Sequence, residues 1–233
     1  MKKFFALALC LTVFGCSVSN EPSSELTGTL VGRAYSIKEG TASEFEAHEK
    51  IRVEIEGTGL STSPDSLGNW RIDNVPTRAI SIAYSKAGFA TVRQNPIMFV
   101  GGGIIRVPEV YLYKIPDCGV SLDSSRMLPN DRVQIYSHLD CPDQASIVTF
   151  FFSNSRSVSS EDYSHYVLAS GQLGVSYANP YKSELGQYLN ANDSIFVSAY
   201  HGSYGYGYLD SASNKFMFSG LNPNRSQVIG FKF

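Results

Sequence analysis

Apolar and polar residues alternate with period two over much of residues 26–113. Ile51, Val53 and Ile55 share one side of an extended segment, and Arg52, Glu54 and Glu56 share the other. Trp70 with Ile72, then Ile80, Ile82 and Tyr84, repeat the pattern, which is that of half-buried strands. Gly57, Pro64, Asp65, Gly68, Pro76 and Gly88 interrupt the runs where turns are needed. Short strands at this spacing predict an antiparallel sandwich. Ile115-Pro116-Asp117 then reads as a joint, beyond which residues 131–137, 147–153, 194–200 and 226–233 are predicted strands of a second sandwich. Tyr181, Leu185, Tyr188 and Leu189 have helical spacing, interrupted by Gly186. The expected fold class is therefore all-β, two antiparallel β-sandwiches in tandem, with the first at 26–114 and the second at 117–233.

The N-terminus follows a different pattern. Lys2 and Lys3 precede an apolar run over 4–14 that is long enough for an export signal. It is shorter than the about 20 apolar residues of a membrane-spanning helix, and no later run reaches that length. Val13-Phe14-Gly15-Cys16, followed by a Ser/Glu/Pro-rich stretch, resembles a bacterial lipobox, in which a small residue precedes a Cys that is acylated and becomes the new N-terminus. Gly15 and Cys16 fit that pattern, while Phe14 is bulkier than it usually allows. The resemblance implies a signal peptide at 1–15, lipidation at Cys16, a tether over 16–25, and the membrane as a partner through the anchor. Ser17 resembles the sorting pattern for the outer membrane, with the periplasmic face and the cell surface both open. An ordinary signal peptide with an incidental Cys is the alternative.

That address changes how the cysteines read. Cys10 would leave with the signal peptide and Cys16 would carry lipid. Cys118 and Cys141 remain as an even pair in an oxidising compartment, and a disulfide between them is expected. Two unpaired buried thiols are the alternative. No C-x-x-C motif or zinc-spaced Cys/His cluster is present, so no metal is predicted. Formal net charge is −2 for the whole chain, and loss of Lys2 and Lys3 makes it −4. Neither value advertises a nucleic-acid partner.

Lys50-Ile51-Arg52-Val53-Glu54-Ile55-Glu56-Gly57-Thr58, then Pro64-Asp65-Ser66-Leu67-Gly68-Asn69-Trp70-Arg71-Ile72 and Asn74-Val75-Pro76, resemble the carboxypeptidase-regulatory-like domain. Ile80-Ser81-Ile82-Ala83-Tyr84-Ser85-Lys86-Ala87-Gly88-Phe89 continues the match, which covers about a third of the chain. The resemblance implies a seven-stranded transthyretin-like sandwich and an accessory module without catalytic residues. An acidic insertion at 39–50 departs from the family pattern. Residues 190–208 resemble, more weakly, the later strands of a fibronectin type III-like domain.

Candidate chemistry is sparse. Tyr204, Tyr206 and Tyr208 alternate with glycines, so an extended backbone would put the three rings on one face, suited to stacking on sugars or to a protein contact. The alternative is that they cover a neighbouring strand. Gly101-Gly102-Gly103 lacks the Lys-Ser/Thr of a phosphate loop and reads as a hairpin turn. Glu39, Glu44, Glu46 and Glu49 fit no calcium loop and read as a solvated acidic segment. His48, His138, His165 and His201 are scattered, and nothing resembles a nucleophile elbow. No catalytic residue and no cofactor are assigned. The leading expectation is a non-enzymatic envelope lipoprotein working by protein contacts. A glycan-binding accessory protein is the alternative, and a hydrolase is unsupported.

Overall fold

The computed structural model describes residues 26–38, 45–141, 146–171, 174–190, 193–203, 207–210 and 214–232. The first nine strands are β1 (Thr27–Ile37), β2 (Phe45–Glu46), β3 (Arg52–Ile55), β4 (Ser61–Thr62), β5 (Asn69–Pro76), β6 (Ala79–Ser85), β7 (Val92–Met98), β8 (Ile104–Arg106) and β9 (Val110–Tyr113). They make two sheets. In one, β1 pairs with β5 and β2 along one edge and with β8 and β9 along the other; the second runs β4-β3-β6-β7. Their inward positions form one core, in which Leu30, Ile51, Val53, Ile55, Ile82 and Leu112 are all fully buried.

Nine further strands follow: β10 (Val120–Leu128), β11 (Arg132–Leu139), β12 (Ser146–Ser153), β13 (His165–Gly171), β14 (Val175–Ala178), β15 (Ile195–Gly202), β16 (Gly207–Asp210), β17 (Lys215–Phe218) and β18 (Ile229–Phe231). A three-stranded sheet β10-β11-β14 faces a four-stranded sheet β13-β12-β15-β18. Val133, Ile135, Phe150, Phe152, Ile195 and Val197 fill the space between them. β16 and β17 form a hairpin in the connection from β15 to β18. The helix α1 (Lys182–Tyr188) precedes β15 and buries Leu185, with Gly186 on its exposed side.

Two expectations are corrected. The first sandwich is not purely antiparallel, because β8 and β9 both run parallel to β1, with Thr29 opposite Ile104 and Tyr35 opposite Tyr111. A parallel neighbour needs a long crossover, and the β6–β7 hairpin in the opposite sheet supplies it. For the same reason Gly101-Gly102-Gly103 is not a hairpin turn. It carries the chain from β7 in one sheet to β8 in the other, with positive φ at Gly101 (71°) and Gly102 (76°).

The turn before β5 is built as its residues require. Asp65 Oδ1 accepts the Leu67 and Asn69 N–H groups at 2.9 and 2.8 Å. Gly68 sits at φ 81°, where a Cβ would lie 2.7 Å from the Tyr35 ring. The turn delivers Trp70 into the core at 4% exposure, edge-on to Tyr84. Trp70→Ala should therefore cost about 3–5 kcal/mol, as truncation of a large buried aromatic does. Urea unfolding would read this as a lower midpoint at an unchanged slope.

Candidate binding surface

Outward residues of β1 alternate with the core residues Leu30, Gly32 and Ala34, so Val31, Arg33 and Tyr35 share the open face of the first sheet. On β9, Val110 and Leu112 point inward, and Tyr111 takes the outward side with Tyr113. Because Tyr35 and Tyr111 are register partners, their rings stack at 5.4 Å with planes 25° apart. Phe45, at 49% exposure, extends the row across β2 with its ring 5.3 Å from that of Tyr35. The three form a clustered aromatic platform in which Phe45 is exposed and Tyr35 and Tyr111 are half-buried.

His48 supports the platform from beneath, edge-on to Tyr35 at 5.3 Å and to Phe45 at 5.5 Å. The Ser36 N–H donates to His48 Nδ1 at 3.3 Å, which leaves the imidazole proton on Nε2. Below lies Lys86, whose side chain is 6% exposed. Its Nζ donates to Ser36 Oγ (2.9 Å), Ala47 O (3.2 Å) and Glu46 Oε2 (3.3 Å), and it sits 4.1 Å above the Phe89 ring. A buried ammonium needs this many partners. The acidic segment is thus not simply solvated: Glu46 pairs with a buried cation and holds Phe45 in the platform. Glu39 and Glu44 lie outside the described residues.

Beside the rings runs a row of planar polar groups. Tyr111 Oη donates to Glu109 Oε2 (3.1 Å), and Arg33 Nη1 lies 3.4 Å from Glu109 Oε1. Arg33 Nε donates to Asn69 Oδ1 (3.0 Å), and Asn69 Nδ2 donates to Asp65 Oδ2 (3.2 Å). Donated bonds from the Asn69 backbone and side chain and the Leu67 N–H hold the Asp65 carboxyl below its ordinary pKa. The Arg33 and Glu109 side chains are each 46% exposed.

The residues singled out from sequence lie elsewhere. Cys16, Tyr204 and Tyr206 are outside the described residues. Tyr208 is half-buried on β16, with the Arg93 guanidinium 4.5 Å from its ring, so it contacts the first sandwich. Cys118 and Cys141 are joined as a disulfide, with Cα atoms 5.8 Å apart. Buried His201 comes to this bridge, its Nδ1 3.0 Å from Cys118 Sγ and 3.1 Å from Cys118 O. With the sulfurs bonded to each other, this trio is a structural clasp rather than a ligand set. Asn222 Nδ2 adds bonds to Pro116 O (2.8 Å) and Cys118 O (3.2 Å). His165, stacked on Tyr188, lies 3.3 Å from Glu184 Oε1 outside hydrogen-bond geometry.

No family model matches the sequence, and no curated protein does. Among solved structures, a chain of a type II cohesin–X-dockerin complex from Acetivibrio cellulolyticus is 18% identical over 37% of this chain, with a TM-score of 0.31. That match spans 58% of the other chain's length. A DUF3823 family protein from Parabacteroides merdae is 10% identical over 89% of this chain and 100% of its own, with a TM-score of 0.32. A shaft pilin from Lactobacillus rhamnosus GG is 11% identical over 88% and 97%, with a TM-score of 0.25. At such scores none of these likenesses bears on the ligand.

Burial pushes the His48 pKa down, against a raising contribution from Glu49 and with a further lowering one from Lys86; burial likewise lowers His165 against Glu184. The unfolded chain therefore binds more protons near and below the ordinary histidine pKa of about 6.5. Stability should be full above that value and fall as pH drops from about 7 to 5. Urea midpoints measured across this range should show the slope, and His48→Gln with His165→Gln should flatten it.

Proposed function

We propose that this chain is a non-enzymatic envelope lipoprotein that binds glycan through the Tyr35–Phe45–Tyr111 platform. The platform itself carries the reading. The clustered Tyr35, Tyr111 and Phe45 rings offer apolar surface to the C–H faces of sugar rings. The adjoining Asn69–Arg33–Glu109 row offers paired donors and acceptors to hydroxyls. The resemblance of residues 50–89 to an accessory module without catalytic residues supports the same assignment. The lipobox resemblance at Cys16 supports anchoring, and the resemblance of Ser17 to the outer-membrane sorting pattern supports that placement.

A protein partner is the second reading, favoured by one feature. β13 and β14 are edge strands of opposing sheets and flank an open groove lined by Leu168, Ser170, Val175 and Tyr177. Leu168, Val175 and Tyr177 are exposed, and an extended segment could add to either edge.

Affinity electrophoresis in gels containing xylan, mannan, starch or peptidoglycan fragments tests the first reading. The protein should be retarded by at least one of them. Tyr35→Ala should weaken that retention by about fivefold or more, the loss expected of one stacking contact, while Tyr177→Ala leaves it unchanged. Retardation by none, or equal loss in both variants, rejects the platform. Anchoring is tested separately: labelled fatty acid should be incorporated into the wild type and not into Cys16→Ser, and equal labelling would refute it.

A further inference from the structure

The end of the first sandwich at which the tether arrives carries an exposed apolar patch. Leu26 is 58% exposed, Met98 72%, Val100 65% and Ile104 64%. Leu26 and Val100 lie together at the connection from β7 to β8, and Met98 and Ile104 flank that connection on the outer faces of the two sheets. The Leu26 side chain lies against Gly101, and Leu26 O accepts the Thr77 N–H at 3.2 Å. Gly102 N–H donates to Thr27 O (3.0 Å), and Thr29 N–H donates to Gly103 O (2.9 Å). Met98 is opposite Ala79, and Ile104 is opposite Thr29. Phe99 turns inward and is buried, fixing the connection from β7 to β8 to the core while its neighbours Met98 and Val100 point out.

Four large apolar side chains at one end of a sandwich exceed the scattered exposure normal for a surface. What covers them is indicated by the chain itself. Leu26 is ten residues after Cys16, so an acylated Cys16 could lie at most about 35 Å from it. Leu26 is therefore the described residue nearest the anchor along the chain, and the apolar side chains around it lie within the tether's reach of lipid. Arg78 and Arg106, both exposed, flank the patch and suit phosphate headgroups. Arg71 and Asp73 on the adjoining face neutralise one another at 2.7 Å.

We propose that this end of the protein docks on the bilayer surface, with Leu26, Met98, Val100 and Ile104 entering the headgroup boundary beside the acyl anchor. The inference rests on the lipid-anchor reading. It gives the tethered protein a fixed base instead of free rotation about its linker. Apolar side chains at the interface add to the anchoring of the acyl chains, and two weak signals together hold a protein far better than either alone.

Trp70 is the sole tryptophan and is buried, so one added tryptophan can serve as a depth reporter. The acylated protein, as wild type, Val100→Trp and Leu67→Trp, is reconstituted on phosphatidylethanolamine/phosphatidylglycerol vesicles with or without brominated acyl chains. Leu67, 72% exposed in the turn at the opposite end of β5, is the control. Bromolipid should quench the emission added by Val100→Trp and leave that of Leu67→Trp and of the wild type unchanged. Ile104→Trp is a second reporter should Val100→Trp fold poorly. If the acylated chain floats with the vesicles but neither patch reporter is quenched beyond the control, docking is overturned and the anchor stands. If the chain does not float, the anchor fails and docking fails with it.

Discussion

The first sandwich depends on the hydrogen bonds of one strand. β1 pairs along both edges, with β5 and β2 on one side and β8 and β9 on the other. Among the described residues no other strand of its sheet pairs with any strand but β1, so the sheet exists only while β1 is seated. That demand explains its composition. Gly32 lies where a Cβ would meet the Trp70 ring at 2.7 Å and Val107 at 2.8 Å, so the strand's centre is shaped by the indole packed over it. Its inner residues Leu30 and Ala34 are fully buried, and its outer residues are free to carry polar and aromatic groups.

A similar economy operates at the joint. Pro116 and Cys118 have no strand partners, yet their carbonyls are taken by Asn222, and Cys118 is tied both to Cys141 and to His201. Ser219 Oγ donates to Thr91 O, and Arg93 covers Tyr208. Backbone polar groups without partners are costly when removed from water. Groups from β7, the joint and the connection between β15 and β18 satisfy one another here. The β16–β17 hairpin thus belongs to the contact between sandwiches as much as to the second core.

Legibility in the sequence followed the length scale of each interaction. Ile51/Val53/Ile55 and Ile80/Ile82/Tyr84 were readable because period-two alternation is local, and Asp65-x-x-Gly68 because an Asx-type turn is made by its own residues. β8 and β9 were not placed, since parallel pairing with β1 is a contact across about 75 residues of sequence that no local pattern encodes. The platform was missed for the same reason: Tyr35, Phe45 and Tyr111 come from three separate segments. One trace was available. Tyr111 and Tyr113 alternate with Val110 and Leu112, and that pattern puts two tyrosines on an outward face. The Gly/Tyr run drew attention because its rings are adjacent in sequence, but adjacency says nothing about what covers them, and Arg93 covers Tyr208. Lys86 was equally invisible, because a lysine in a strand-end turn is ordinarily solvated, and only the fold shows Ser36, Ala47 and Glu46 gathered around it.

The direction of β1 relates the two proposed surfaces. Its first residues lie at the apolar end, beside Leu26 and the connection from β7 to β8, and its last residues carry Tyr35 and the pairing of Ile37 with Phe45. Eight residues separate Thr27 from Tyr35, about 26 Å of extended strand. β9 ends at Tyr113 opposite Ile37, and the joint to the second sandwich leaves from there. β7 runs the other way, from Arg93 beneath Tyr208 to Met98 at the apolar end. With the apolar end against lipid, the platform and the second sandwich would both stand on the far side of the first core, directed away from the membrane. A glycan face placed near the base would compete with the headgroups for the same hydroxyl-binding groups. Separation by the length of one strand removes that competition, and the same strand that orders the sheet fixes the distance.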